Sequence, residues 1–326
     1  MQAFQVAQDG HPARLTDIPR PRPAPGEVLL RIEACGVNFA DLLMQEGRYQ
    51  DTPPAPFTLG LEVAGVVEET GAGVSGIGAG DRVAVFAGAG GMAEYGCFPA
   101  ARCLPLPAQM PFEEAAAFQV AYGTSHLALF HRAGLKPGER VLVLGAAGGV
   151  GLSAVELAAQ AGAEVVAVAR GPRRLEVARA AGATHLLDAE TEDLAAALKA
   201  LGGVDVVYDP VGGDQFRAAL RACRPEARMI VIGFASGKVP QIPANILLVK
   251  NVSVIGLYWG GYLRFAPDIL TGSLRALLER CEQGRLRPHV SHVLPLERAA
   301  EALELLRSRR ATGKVVIRPR PEAPPR

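Results

Sequence analysis

The stretch VLVLGAAGGVG at positions 141–151 decides how this chain is read. Four apolar residues run straight into a loop of glycine and alanine. Gly145, Ala146, Gly148 and Gly151 are placed there as a variant of the dinucleotide fingerprint, with alanine in place of one glycine. The chemistry needs small residues at this point. The chain must turn sharply from strand to helix, and its backbone must come close to a pyrophosphate. A helix opening near Val150 then offers N–H groups and a positive dipole end to that anion. The flanks agree: a strand is predicted over Arg140–Leu144, a helix over 150–161 and a second strand over Glu164–Ala169. Gly145, Ala146, Gly148, Gly149, Val150 and Gly151 are therefore candidate cofactor-binding residues.

The tip of the second strand distinguishes the two nicotinamide cofactors. An NAD site usually places Asp or Glu about 20 residues beyond the glycines, on the ribose 2′-hydroxyl. Here the strand ends in Arg170-Gly171-Pro172-Arg173-Arg174, with no acid at its tip. Three guanidinium groups suit a 2′-phosphate through charge-assisted hydrogen bonds. Arginines at a helix start oppose the dipole, a local cost that favours a ligand role. The cofactor expected is NADPH in preference to NADH, bound by Arg170, Arg173 and Arg174.

Downstream, strands at 185–187, 204–208, 229–233 and 252–257 alternate with helices at 172–181, 191–201 and 215–223, which means a doubly wound parallel sheet. Upstream, Glu27–Val37, 61–69, Arg82–Phe86 and 93–98 read as short strands. Glycines at 71, 73, 76, 78, 80, 88, 90 and 91 lie among them, the pattern of a small barrel or sandwich. Residues 112–130 read as helix and linker. Helices at 267–283 and 296–308 and a strand at 314–317 follow the parallel sheet, and 319–326 is expected to fray.

Composition narrows the function. The 326 residues include 37 glycines without a three-residue period, and 49% are hydrophobic, which excludes collagen and disorder. A net charge of +1 gives no support to nucleic-acid binding. Five cysteines without a C-x-x-C pair make neither a disulfide framework nor a four-cysteine zinc lobe, and fit a reducing compartment. No signal segment or membrane span is read; the uncharged run 115–130 contains Gln119, Ser125 and His126. The location expected is cytoplasmic.

Further segments resemble the zinc-free quinone oxidoreductase branch of the medium-chain dehydrogenase/reductase family over nearly the whole chain. They are Cys35-Gly36-Val37-Asn38-Phe39-Ala40-Asp41, Gly47-Arg48-Tyr49, Gly80-Asp81-Arg82-Val83 and Ala121-Tyr122-Gly123-Thr124. Asp209-Pro210-Val211-Gly212-Gly213, Gly233-Phe234-Ala235 and Gly313-Lys314-Val315-Val316 complete the set. The resemblance implies an α/β chain with a GroES-like catalytic domain from 1–122 and 263–326 and an inserted Rossmann domain, 123–262. It implies no zinc. Cys35 stands where zinc-dependent members place their first ligand, but the segment that carries their histidine is Gly60-Leu61-Glu62 here. Cys35 is then expected to be a buried small hydrophobe, and the six histidines core or surface residues.

The resemblance also assigns roles. Asn38 and Tyr49 would line the acceptor cleft, Asn38 bonding the acceptor oxygen or the cofactor, Tyr49 stacking on a flat ring and offering a proton. Asp41 would cap a helix. Thr124, Val211, Gly233, Phe234, Leu257, Tyr258 and Trp259 would hold the nicotinamide half. Lys314 would reach a cofactor phosphate or simply end a strand. Where relatives commonly carry a tyrosine on the 2′-phosphate, this chain has Leu187-Asp188-Ala189. Without a metal Lewis acid, a conjugated acceptor is expected, a quinone first, an enone or enoyl double bond second. A cofactor-binding protein with little turnover, structural or RNA-associated, is a third reading. The predicted edge strand 252–257 implies a homodimer.

Overall fold

A computed structural model describes residues 1–8 and 10–320. The end of the segment expected to fray, 321–326, lies outside the described residues. The chain divides into two units, Met1–Val120 with Arg275–Arg326, and Ala121–Leu274. The second division falls twelve residues beyond the expected 262/263, inside the helix Pro267–Glu282.

The contiguous unit holds a six-stranded parallel sheet. Along the chain its strands are Arg140–Leu144, Glu164–Ala169, His185–Asp188, Val204–Asp209, Cys223–Val231 and Ser253–Gly256; in space they run third, second, first, fourth, fifth, sixth. This is the doubly wound order, and ligands bind such sheets beyond the carboxyl ends of the strands, where the order reverses. Here that point lies between the first strand and the fourth. Val141, Leu142, Val143 and Leu144 are all fully buried, as are Val165 to Val168, because helices cover both faces. The cluster beneath the sheet is built on Leu142, Val166, Val207, Phe216 and Met229. Ser253–Gly256 forms one edge of this sheet. The helix read over 112–130 is broken into Phe112–Ala116, Gln119–His126 and a π-helical turn Leu127–Arg132.

The other unit is antiparallel for the most part. Its larger sheet runs Val290–Pro295, Lys314–Arg318, Glu27–Val37, Glu62–Thr70, Arg82–Phe86, Cys103–Pro105, with Tyr95–Pro99 also on Glu27–Val37. A smaller sheet joins Arg14–Asp17, Gln2–Val6 and Phe57–Thr58. Register places the functional region. Val315 pairs with Val37 and Gly36 with Glu62, so Lys314, Asn38 and Glu62 meet at one end of three neighbouring strands. Among the described residues no helix is long and apolar enough to cross a membrane.

Candidate active site

The glycine corner is built by sterics. Gly145 takes φ +60°, a region closed to most side chains, and turns the chain off the first strand. A Cβ at Gly151 would run into the Gly145 carbonyl oxygen, so the helix can start this close to the turn only without a side chain there. The helix spans Gly149–Gln160 with Gly148 at its N-cap; no side chain caps it, and its first turn holds no acid. The N–H groups of Gly149, Val150 and Gly151 therefore have no intrahelical acceptor. Helix starts usually recruit Ser, Thr, Asp or Asn for these donors. A start left bare beside a glycine turn is suited to an external anion.

Across the switch point, the fourth strand ends in Asp209. Asp209 Oδ1 accepts from the N–H groups of Val211 and Gly212 at 2.7 and 2.8 Å, which fixes the following turn. Burial raises the pKa of Asp209, and those two bonds pull against it. The turn brings Val211 against the glycine corner: a Cβ at Gly145 would lie 3.1 Å from Val211 Cγ2. Gly233 N–H reaches Asp209 O, and Phe234 is 37% exposed beside Gly212 of this turn. Trp259 is buried and lies flat against Gly123, where a Cβ would come within 2.7 Å of the indole. Thr124, the next residue, is buried, and Leu257 is buried next to the half-buried Tyr258. Ser125 Oγ bonds Val150 O, Ser153 Oγ and Tyr208 OH at 2.9, 2.9 and 3.0 Å, tying the Thr124 segment to the helix start.

The arginines stand at the tip of the second strand. Gly171 starts the helix Pro172–Ala180 at φ +76°, with no side-chain cap and no acid in the first turn. Arg174 folds back onto Arg170 O at 3.3 Å, while Arg170 and Arg173 pair with no acid among the described residues.

In the other unit, Asn38 precedes the helix Phe39–Gln45. Asp41 accepts from Asn38 N–H at 2.8 Å through Oδ2 and from Gly60 N–H at 2.9 Å through Oδ1, so its carboxyl joins two segments. The side chain of Asn38 turns inward. Its Nδ2 donates to Gly36 O at 3.2 Å and to Glu62 Oε1 at 2.9 Å, and its Oδ1 accepts from Lys314 Nζ at 2.7 Å. Lys314 Nζ also donates to Glu62 Oε1 at 2.6 Å and to Val37 O at 2.9 Å, and Glu62 Oε2 accepts from Val120 N–H at 2.9 Å. Glu62 is fully buried and Lys314 is 5% exposed.

Two expectations change here. Lys314 spends all three ammonium donors inside the domain and has none for a cofactor phosphate. Asn38 spends both amide hydrogens and has none for an acceptor oxygen; only Oδ1 keeps a lone pair. Glu62 was missed as the centre of this cluster. Its signal was a charged residue at the head of the apolar run 63–67. Tyr49 lies half-buried in the loop after the helix.

Comparison with known proteins agrees with both halves. Residues 24–108 match the alcohol dehydrogenase GroES-like domain, and residues 149–276 match the zinc-binding dehydrogenase profile. Quinone oxidoreductase-like protein 2 of Bos taurus is 42% identical over 91% of this chain and 86% of its own length. The chain belongs to the medium-chain dehydrogenase/reductase family. Among solved members of the family, the Thermus thermophilus quinone oxidoreductase, whose NADPH complex is also solved, is 37% identical (TM-score 0.85, 98% of this chain and 100% of that one). The Escherichia coli quinone oxidoreductase, solved with NADPH, is 30% identical (TM-score 0.90, 98% and 100%). Like these, the chain is an oxidoreductase.

Zinc, implied by the name of one matched profile, does not fit the donors present. The segment Gly60-Leu61-Glu62 carries no histidine, and Leu61 contributes only hydrocarbon. Burial, and then the carboxylates of Asp41 and Glu62, push the Cys35 thiol well above its ordinary pKa, away from the thiolate a metal needs. The nearby carboxylate Glu62 is already held by an ammonium group. Among the described residues no group of three or more His, Cys, Asp or Glu could hold a metal ion.

Proposed function

We propose that this chain is an NADPH-dependent reductase that passes hydride to a conjugated acceptor, a quinone or a close chemical relative, without a metal. The observation that carries the reading is the bare helix start at Gly149, set behind the turn at Gly145 and followed by three arginines at the next strand tip. The NADPH complexes of the Thermus thermophilus and Escherichia coli proteins support it. When bound, NADPH supplies the hydride. The N–H groups of Gly149, Val150 and Gly151 take the pyrophosphate, with Gly145, Ala146 and Gly148 shaping the approach. Arg170, Arg173 and Arg174 take the 2′-phosphate. Thr124, Val211, Gly233, Phe234, Leu257, Tyr258 and Trp259 orient the nicotinamide half and keep water from it. Asn38 Oδ1 is assigned to a donor on cofactor or acceptor, and Tyr49 to the acceptor ring, as its stacking partner and proton donor.

The edge strand Ser253–Gly256, with the exposed apolar residues Val239, Leu248 and Val249 nearby in sequence, supports a homodimer. Five free cysteines support a reducing, cytoplasmic setting.

The test is loss of reduced-nicotinamide absorbance with quinones, enones, enoyl thioesters and simple aldehydes, each with NADPH and NADH. Quinone turnover with NADPH is expected. Turnover of enones or thioesters alone would replace the quinone reading with double-bond reduction. Tight NADPH binding without any turnover would leave a binding protein.

A further inference from the structure

The corner that would read the ribose 2′ position carries a carboxylate as well as arginines. Ala169 and Asp188 are register partners at the tips of two adjacent parallel strands. Asp188 Oδ1 accepts from Gly171 N–H at 3.1 Å and from Glu190 N–H at 3.0 Å, and Asp188 N–H donates to Glu192 Oε1 at 2.7 Å. Gly171 sits between Arg170 and Pro172, and Arg174 bonds back to Arg170 O. Asp188 thus touches the backbone from which the arginines branch, and it is only half-buried. The two known solutions, both at the tip of the second strand, are opposite in charge. An acid accepts a hydrogen bond from the 2′-hydroxyl of NADH, and arginine accommodates the 2′-phosphate of NADPH. Here the arginines hold the second strand's tip, and Asp188, at the tip of the third, bonds the same backbone at Gly171.

We infer that Asp188 is a specificity-determining residue, whose carboxylate opposes the 2′-phosphate and welcomes the 2′-hydroxyl, so that the chain accepts NADH as well as NADPH. The inference rests on the NADPH reading above and sharpens it. The arginines draw both cofactors' adenosine end to the corner; Asp188 sets the ratio. A competing role is structural. The helix Pro172–Ala180 lacks a side-chain cap and begins with two arginines that oppose its dipole, which a carboxylate at Gly171 N–H offsets. Asn in place of Asp keeps the amide oxygen for Gly171 N–H and removes only the charge, so it separates the two roles.

The experiment is titration of the full chain with NADPH and with NADH, read by nicotinamide fluorescence, with displacement by adenosine 2′,5′-bisphosphate and by ADP as hydride-free probes. In Asp188→Asn the ratio of NADH Kd to NADPH Kd should rise about tenfold, and the bisphosphate should gain over ADP to match. Glu190→Gln, the same change in net charge two residues away, should move the ratio less than about twofold. An unmoved ratio in Asp188→Asn, an equal loss of both cofactors, or an equal shift in Glu190→Gln would overturn the assignment. Failure of the unaltered chain to bind either dinucleotide would overturn the NADPH reading itself and this inference with it, a result distinct from an unmoved ratio.

Discussion

Replacing Lys314 by methionine tests the cluster that joins Asn38 to the C-terminal strand. Methionine fills the volume of the lysine stem but carries no charge. Glu62 would then keep a carboxylate with no solvent exposure, and only Asn38 Nδ2 and Val120 N–H as donors. Removing one partner of a buried ion pair costs about 3–5 kcal/mol, because the other charge is stranded. For a domain of this size, each kcal/mol moves Tm by about 2–4 °C, so the transition of the unit containing Lys314 should fall by roughly 6–20 °C. Adding Glu62→Gln removes the stranded charge. The double variant should recover most of the loss and lie within about 2 kcal/mol of the original, with a strong coupling energy in the double-mutant cycle. Scanning calorimetry, which resolves the two units if they melt apart, is the assay. A fall below about 3 °C in Lys314→Met, or a double variant as damaged as the two single losses added together, would refute the reasoning.

Gly151→Ala places a methyl group against the Gly145 carbonyl, so NADPH binding measured by fluorescence should weaken at least about tenfold; unchanged affinity would sink the close-approach argument. Burial pushes the Asp41 carboxyl up to about 7, against the pull of the Asn38 and Gly60 N–H groups. The folded chain then holds a proton that the unfolded chain releases near 3.9, so this contribution to stability is full below about pH 4 and is lost as pH rises to about 7. The Tm of the unaltered chain relative to Asp41→Asn should fall across that window, and parallel pH–Tm curves would contradict it. Treatment with a chelator followed by dialysis should leave quinone reduction unchanged, since the surroundings of Cys35 do not suit zinc; activity lost and restored only by zinc would reverse that conclusion.

The nucleotide-binding unit was legible because its signals are local. Arg140–Leu144, Glu164–Ala169 and the glycine run each announce themselves within a dozen residues, and the observed bounds repeat them. The helix Ala244–Lys250 went unread because its apolar residues Leu248 and Val249 point outward, so no periodic buried face betrays it. The strand Arg14–Asp17 escaped for the related reason that it is exposed throughout. In the candidate site, the aspartate at position 41 was readable as a helix-start acid. The partnership of Glu62 with Lys314 was not, since it depends on two strand registers that no local window contains. Register likewise brings Asp188 to Gly171, across 17 positions of chain.

The strand Lys314–Arg318 has a consequence for the order in which the molecule can assemble. Glu62 and Lys314 are separated by 252 positions, and the whole nucleotide-binding unit is synthesised in the interval. That unit is contiguous and can fold as soon as it clears the ribosome, as domains generally do. The unit begun first is completed last. Until Lys314 arrives, the Glu62 carboxylate has no cation to be buried against, so the pocket around Asn38 has reason to stay open to water. Burial of that charge has to wait for Lys314, so the cluster around Asn38 is completed only after the nucleotide-binding unit has been synthesised.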